Sequence, residues 1–201
     1  MKLFIASDIH GSAKYCREML SAFDREEADR MLLLGDIIYH GPRNDLPEGY
    51  APKEVIALLN ERADIISSVR GNCEAEVDQM VLNFPVMAEY ALIIEGNSTI
   101  FATHGHLWSR EKLPPLKPGD VLLCGHTHIS ACEKLDCGAV YINPGSVSIP
   151  KSGSPRGYIV FVRGVFHFRT LGGEEYNTYI IKRRGAPLLF IYKIPRYRAS
   201  R

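Results

Sequence analysis

The sequence predicts an α/β protein with mixed sheets, and three observations carry that reading. Apolar runs alternate with helix-spaced segments through the first half of the 201 residues, whereas the second half is mostly strand-like. No repeat, linker or low-complexity segment divides residues 1–181, which are long enough to form one domain with its own core. Short motifs of metal-binding residue types recur, each after an apolar run: Asp8-x-His10, Gly35-Asp36, Gly71-Asn72, His104-Gly105-His106 and Gly125-His126-x-His128.

Taken in order, Leu3 to Ala6 reads as a first strand, apolar without alternation and therefore buried on both faces. It runs straight into Asp8 and His10, unlike a signal peptide. From Ser12, the residues Tyr15, Met19, Ala22 and Phe23 fall at helical spacing, with Arg17 and Glu18 on the opposite face. Met31 to Leu34 is a second strand, ending at Gly35-Asp36. A long turn-rich loop follows from His40 to Gly49, and loops of that length inside a domain are usually functional. Pro52 suits the first turn of a helix that buries Val55, Ile56, Leu58 and Leu59. Ile65 to Val69 is a third strand, and Glu76 to Leu82 a short helix. Ala91–Ile94 and Thr99–Ala102 form a hairpin. Val121–Cys124 and Val140–Ile142 are further strands, and Tyr158–Val162 with Val165–Leu171 closes the domain as a second hairpin, with His167 exposed on it.

Composition excludes little but places the charge. No apolar run approaches the ~18 residues of a membrane span. The five cysteines (Cys16, Cys73, Cys124, Cys132, Cys137) are odd in number and form no CxxC pair, so reduced thiols and a cytoplasmic setting are expected, and a metal clip at Cys132 and Cys137 is the lesser reading. Net charge is +1, yet residues 182–201 carry seven basic side chains and no acidic one; the remaining 17 basic against 23 acidic residues leave residues 1–181 at −6. The basic extension is thus read apart from the domain at 1–181. It leaves nucleic acid open as a partner, and its Leu188-Leu189-Phe190-Ile191-Tyr192 leaves open packing against a second copy.

In open α/β sheets, ligands bind beyond the carboxyl ends of the strands. Asp8, His10, Asp36, Asn72, His104, His126 and His128 all fall at such ends. Three oxygen donors and four imidazoles are too many for one ion and suit two, with a carboxylate such as Asp36 able to bridge them. Two divalent ions about 3.5–4 Å apart can hold a bridging hydroxide and clamp phosphoryl oxygens during in-line attack. Asp8 and Asp36 offset only half of the charge of two such ions, a surplus suited to hydroxide and an anionic phosphate ester. Four imidazoles argue against a pure magnesium site and the lack of thiolates against structural zinc. Mixed donors suit manganese first, with iron, nickel, cobalt and zinc open.

These motifs, with Gly71-Asn72-Cys73-Glu74, Thr103-His104-Gly105-His106, Gly125-His126-Thr127-His128 and Asn143-Pro144-Gly145-Ser146, resemble those of the calcineurin-like metallophosphoesterase superfamily, and within it the YfcE-type phosphodiesterases. His40-Gly41-Pro42-Arg43-Asn44 and Pro47–Pro52 resemble that branch too, and the likeness covers about residues 1–172. It implies a four-layer α/β/β/α sandwich and a metal-dependent hydrolase acting on a small-molecule phosphodiester. It also implies that Asp8, His10, Asp36 and His128 hold one ion, and Asp36, Asn72, His104 and His126 the other. Many relatives carry a histidine after the motif's asparagine; here Cys73 stands there, a poor acid at neutral pH with an ordinary thiol pKa near ~8.5. Catalytic roles are therefore expected for His40, as a partial replacement for the missing imidazole, and for Arg43, on a phosphate oxygen. Cys73 itself reads as an inert thiol in preference to a nucleophile. His106 reads equally as support for His104 or as loop packing. A phosphomonoesterase and a non-catalytic scaffold, such as the retromer subunit that resembles these enzymes, are the alternatives; the intact donor set favours the hydrolase.

Overall fold

Strand β1 (Lys2–Ala6) lies inside a six-stranded sheet and shows why a fully apolar strand was needed there. Its side chains alternate: Leu3 and Ile5 point into one core, Phe4 and Ala6 into another. In a computed structural model, which describes residues 1–181, the elements follow in order as α1 (Ala13–Arg25), β2 (Arg30–Leu33), α2 (Pro52–Asn60), β3 (Ile66–Ser68), α3 (Glu76–Val81), β4 (Tyr90–Glu95), β5 (Ser98–Thr103), β6 (Val121–Leu123), β7 (Ser130–Lys134), β8 (Val140–Pro144), β9 (Gly157–Val162), β10 (Val165–Thr170) and β11 (Glu175–Ile180). The basic extension at 182–201 lies outside the described residues.

Both sheets are mixed. The first has the order β11-β10-β9-β1-β2-β3, with β1, β2 and β3 parallel and β9 antiparallel to β1; the second has the order β4-β5-β6-β8-β7, with β5, β6 and β8 parallel. Between the sheets lies a core of Leu3, Ile5, Leu32 and Leu34 from one side and Ile100, Ala102, Val121, Leu123 and Ile142 from the other. The outer face of the first sheet is covered by α1 and α2, which bury Met19, Phe23, Val55 and Leu59 against Phe4, Met31 and Leu33. Ser12 caps α1 by accepting the Tyr15 N–H, and Pro52 opens α2. Ile56 and Leu58 are only half-buried, packed along the edge of that core.

The fold is the α/β sandwich with two mixed sheets that the sequence implies. Its outermost layer on the second sheet is made differently from the first. There Phe101, Leu122, Cys124 and Tyr141 are roofed by Trp108 and Leu116 from the segment 104–120, which is irregular and contains no helix. Two strands have no apolar run to announce them: β7 and β11 are the edges of their sheets, largely polar and partly exposed. His167, expected to be exposed, sits on β10 inside the sheet and pairs with Glu175 on β11 at 2.9 Å. The parallel strands β1, β2, β3, β5 and β6 all point their carboxyl ends to one side, and that is where the motifs converge.

Candidate metal centre

Each motif leaves its strand through a sharp turn. Asp8, His10, Asp36, His126 and His128 all have φ between 49° and 67°, a left-handed conformation that non-glycine residues rarely adopt and that clusters at functional sites. The turn swings successive side chains inward. The approach is close enough to demand glycine: a β-carbon on Gly71 would overlap Asp36 Oδ1 and come within 2.5 Å of the Asp36 nitrogen.

The side chains gather into two main sets, Asp8, His10 and His128 in one and Asp36, His104 and His126 in the other; in each set one candidate ligand atom per residue lies within 4.8 Å of the others. Asp36 Oδ2 stands between them, 3.7 Å from His10 Nε2 and 3.4 Å from His104 Nε2. Asn72 Oδ1 joins the second set at 3.1 Å from His104 Nε2. A third grouping brings Cys73 to Asp36 and His10, with the thiol donating to Asp36 Oδ2 at 3.3 Å. The seven expected ligands thus come together around one point of the fold.

The orientation of the rings is chemically telling. His10, His104 and His128 each donate Nδ1–H to a backbone carbonyl, of Tyr39 (2.9 Å), Leu34 (2.6 Å) and Ile149 (2.8 Å) respectively. That fixes the tautomer and leaves each Nε2 lone pair facing inward. His10 Nε2 then meets His128 Nε2 at 3.1 Å, and His104 Nε2 meets His126 Nδ1 at 3.2 Å. Asp8 Oδ1 is buried among them without a hydrogen-bond donor. Lone pairs aimed at one another in a buried space need a cation, so the donors fit divalent metal. The field agrees. Burial pushes the Asp8 carboxyl up, but His10 and His128 hold it well below the usual range. Burial likewise opposes a charged His104, yet Asp36 and Asp8 raise it, so the two carboxylates make this space attractive to positive charge.

Several neighbours set this geometry. Glu74, fully buried, accepts the N–H groups of Asp36 (2.9 Å), Ile37 (2.7 Å) and Gly71. Ser146 and Ser148 hydroxyls both donate to the Asp8 carbonyl, and Asn143 Nδ2 donates to the Gly125 carbonyl at 2.7 Å, so the Asn143-Pro144-Gly145-Ser146 turn buttresses two motifs. Glu74 had no assigned role in the sequence, because a carboxylate in a turn usually reads as solvated. The left-handed ligand positions also left no compositional trace.

The remaining expected residues separate. Arg43 lines two cavities that open on the centre, one of about 310 Å³ and one of about 360 Å³, and Lys151 lines the smaller. His40 lines neither; its ring packs edge-on against Tyr39 and Tyr50, at 4.7 and 5.4 Å. Burial, with Asp36 beside it, pushes the Cys73 thiol up. His106 lies 5.4 Å from His104 with its ring tilted by 60° and lines the larger cavity; burial, then His104, pull it down to about 4. All five cysteines are free.

Residues 1–163 match the family model of the calcineurin-like phosphoesterase superfamily domain. The chain is 49% identical over 159 residues to the phosphodiesterase YfcE of Escherichia coli, covering 79% of this chain and 85% of that protein. It is 27% identical over 171 residues to the probable metallophosphoesterase YsnB of Bacillus subtilis, covering 80% and 83%. The solved structure of the E. coli phosphoesterase superposes with a TM-score of 0.86 at 44% identity, over 90% of this chain and all of that one.

Proposed function

The chain belongs to the calcineurin-like phosphoesterase superfamily, and from that membership and the converging imidazoles we infer a metal-dependent phosphodiesterase. The observation that carries most weight is the pair of Nε2 lone pairs on His10 and His128, both locked inward by carbonyl bonds on the far side of each ring. We propose that Asp8, His10, Asp36 and His128 hold one ion and Asp36, Asn72, His104 and His126 a second, with manganese the first candidate. Divalent ions bound there supply an acidified water and offset the charge of the phosphoryl group.

The protein's own residues then bind and orient. Arg43 and Lys151, the cations of the cavity over Asp36 and His128, suit the non-bridging oxygens of an anionic phosphate. Glu74 keeps the Asp36 and Gly71 turns together, so Asp36 and Asn72 approach from fixed directions. Cys73 directs its S–H at Asp36 and so offers no proton to a departing alcohol. His40 stands in the loop that carries Arg43, its ring edge-on to Tyr39 and Tyr50. Cys73 is thus not placed to protonate a poor leaving group, and His40 lines neither cavity. The substrate is a small-molecule diester, and the free thiols suit a cytoplasmic setting.

The test is hydrolysis of an aryl phosphodiester by protein loaded with manganese, with D36N as the blank. Metal-dependent turnover that D36N loses supports the reading. A loaded, folded protein that cleaves aryl monoesters and ignores diesters makes it a phosphomonoesterase. One that cleaves neither makes it a scaffold.

A further inference from the structure

Strand β4 is an edge of the second sheet, and among the described residues it pairs with β5 alone. An edge strand offers a row of N–H and C=O groups to other chains, and natural folds blunt or cover such edges. Tyr90 to Ile94 carries neither a charge nor a proline to blunt this one. Leu92 and Ile94 are 54% and 67% exposed and share the outer face of the sheet with Tyr90, which stacks on Phe101. On the inner face Ala91 and Ile93 are only half-buried against the core between the sheets. The sheet thus reaches its edge with apolar surface on both faces.

The described chain ends beside this edge. Ile181 is buried in the same core and donates its N–H to the Gly164 carbonyl at 2.8 Å. A β-carbon on Gly164 would stand 3.4 Å from Glu95 Oε1, at the end of β4. The chain from Ile181 to Leu188 can reach about 23–25 Å, more than the length of about 20 Å of a six-residue strand.

The sequence beyond Ile181 complements the edge in two ways. Leu188-Leu189-Phe190-Ile191-Tyr192 is apolar at every position, as suits a strand with apolar neighbours on both faces. Basic residues flank that run, Lys182, Arg183 and Arg184 before it and Lys193 after it, while Glu95 and Glu89 flank β4. A run that starts at the Glu95 end, where the chain arrives, lies antiparallel to β4 and sets basic groups against acidic ones at both ends.

We propose that residues 188–192 add to the second sheet as a sixth strand, antiparallel to β4 of the same chain, and cover Leu92 and Ile94. The extension is then an edge guard, which closes in its own chain a strand that other chains could otherwise pair with.

Amide hydrogen exchange on the full chain, read by NMR, tests this, because every second N–H of β4 points away from β5. In the wild type those amides are expected to exchange about tenfold more slowly than in L189D/I191D, while the amides of β1 stay unchanged. I191P, which adds no charge but removes a strand N–H, should release them as well. Fast exchange in the wild type, or slow exchange that both variants keep, overturns the proposal. A dilution series with sedimentation velocity separates the source of the strand. Protection that persists on dilution supports pairing within one chain. Protection that disappears together with a dimer gives the edge to a second copy and overturns it.

Discussion

Glu74 Oε2 accepts the backbone N–H of Asp36 at 2.9 Å, and the same carboxylate takes the N–H groups of Ile37 and Gly71. One buried side chain thus holds two of the turns that carry proposed metal ligands. Glu74→Gln puts an amide N–H where an acceptor is needed and leaves at least one buried donor unpaired, at about 1–3 kcal/mol. Divalent-ion affinity, read by calorimetry, is expected to fall about 10- to 100-fold, as for other residues that orient ligands. An unchanged dissociation constant would assign Glu74 to folding alone.

Metal should also register as stability. An ion that binds only the native chain, at a hundredfold its dissociation constant, adds about 2.7 kcal/mol. For a domain of this size that raises Tm by about 5–10 °C over the chelated protein. Scanning fluorimetry with manganese and with EDTA reads it, and superimposed curves would mean that the facing imidazoles of His10 and His128 hold nothing.

Gly71→Ala drives a methyl group into Asp36. The β-carbon meets the Asp36 backbone and two buried carboxylates, Asp36 and Glu74, so overpacking of about 1–3 kcal/mol is expected, together with loss of bound metal. Metal content by mass spectrometry and urea midpoints check both, and a variant with full metal content would show the turn more pliant than its packing suggests.

Far from the centre, Glu26 at the end of α1 predicts an acid limit to stability. Burial pushes its carboxyl up, but the hydroxyl of Tyr158 at 2.8 Å and the Arg169 guanidinium at 2.7 Å more than reverse this, and the group sits below the usual glutamate range. A carboxyl depressed in the folded state contributes its full stability above the unfolded-chain value, near ~4.3. The contribution fades as the pH falls from there through the folded value. Wild type should therefore lose stability below that point faster than Glu26→Gln, which is itself about 1.5–3 kcal/mol less stable at neutral pH. Parallel urea curves for the two from pH 7 to pH 3.5 would contradict the assignment.

Because Cys73 turns its S–H toward Asp36 and His40 lines neither cavity, the rate should depend steeply on how well the alcohol leaves. Aryl diesters with phenols of rising pKa are expected to slow progressively, with chemistry rate-limiting. A flat series would mean that some group does protonate the leaving oxygen.

The strands that carry the centre were legible because they are buried on both faces: Leu3-Phe4-Ile5-Ala6 and Met31-Leu32-Leu33 need no alternation, and each stops at its motif. β7 and β11 were not, since Ser130–Lys134 and Glu175–Ile180 are edge strands held by pairing to one neighbour and lack an apolar run. At the centre the kinds of donor were legible and their support was not. Tautomers are fixed by the carbonyls of Tyr39, Leu34 and Ile149, and a backbone oxygen has no letter in a sequence.

The roof of the second sheet has one more implication. Trp108 and Leu116 are its anchors, while Ser109, Arg110 and Glu111 between them face the larger cavity. The Ser109 hydroxyl accepts the N–H groups of Glu111 and Lys112 and holds the turn, so Arg110 and Glu111 are the letters that can be rewritten with the anchors and the ligand turns left in place. New specificities could be sought there as in an exchangeable cassette, by randomising 110 and 111 and selecting on the arm of the diester.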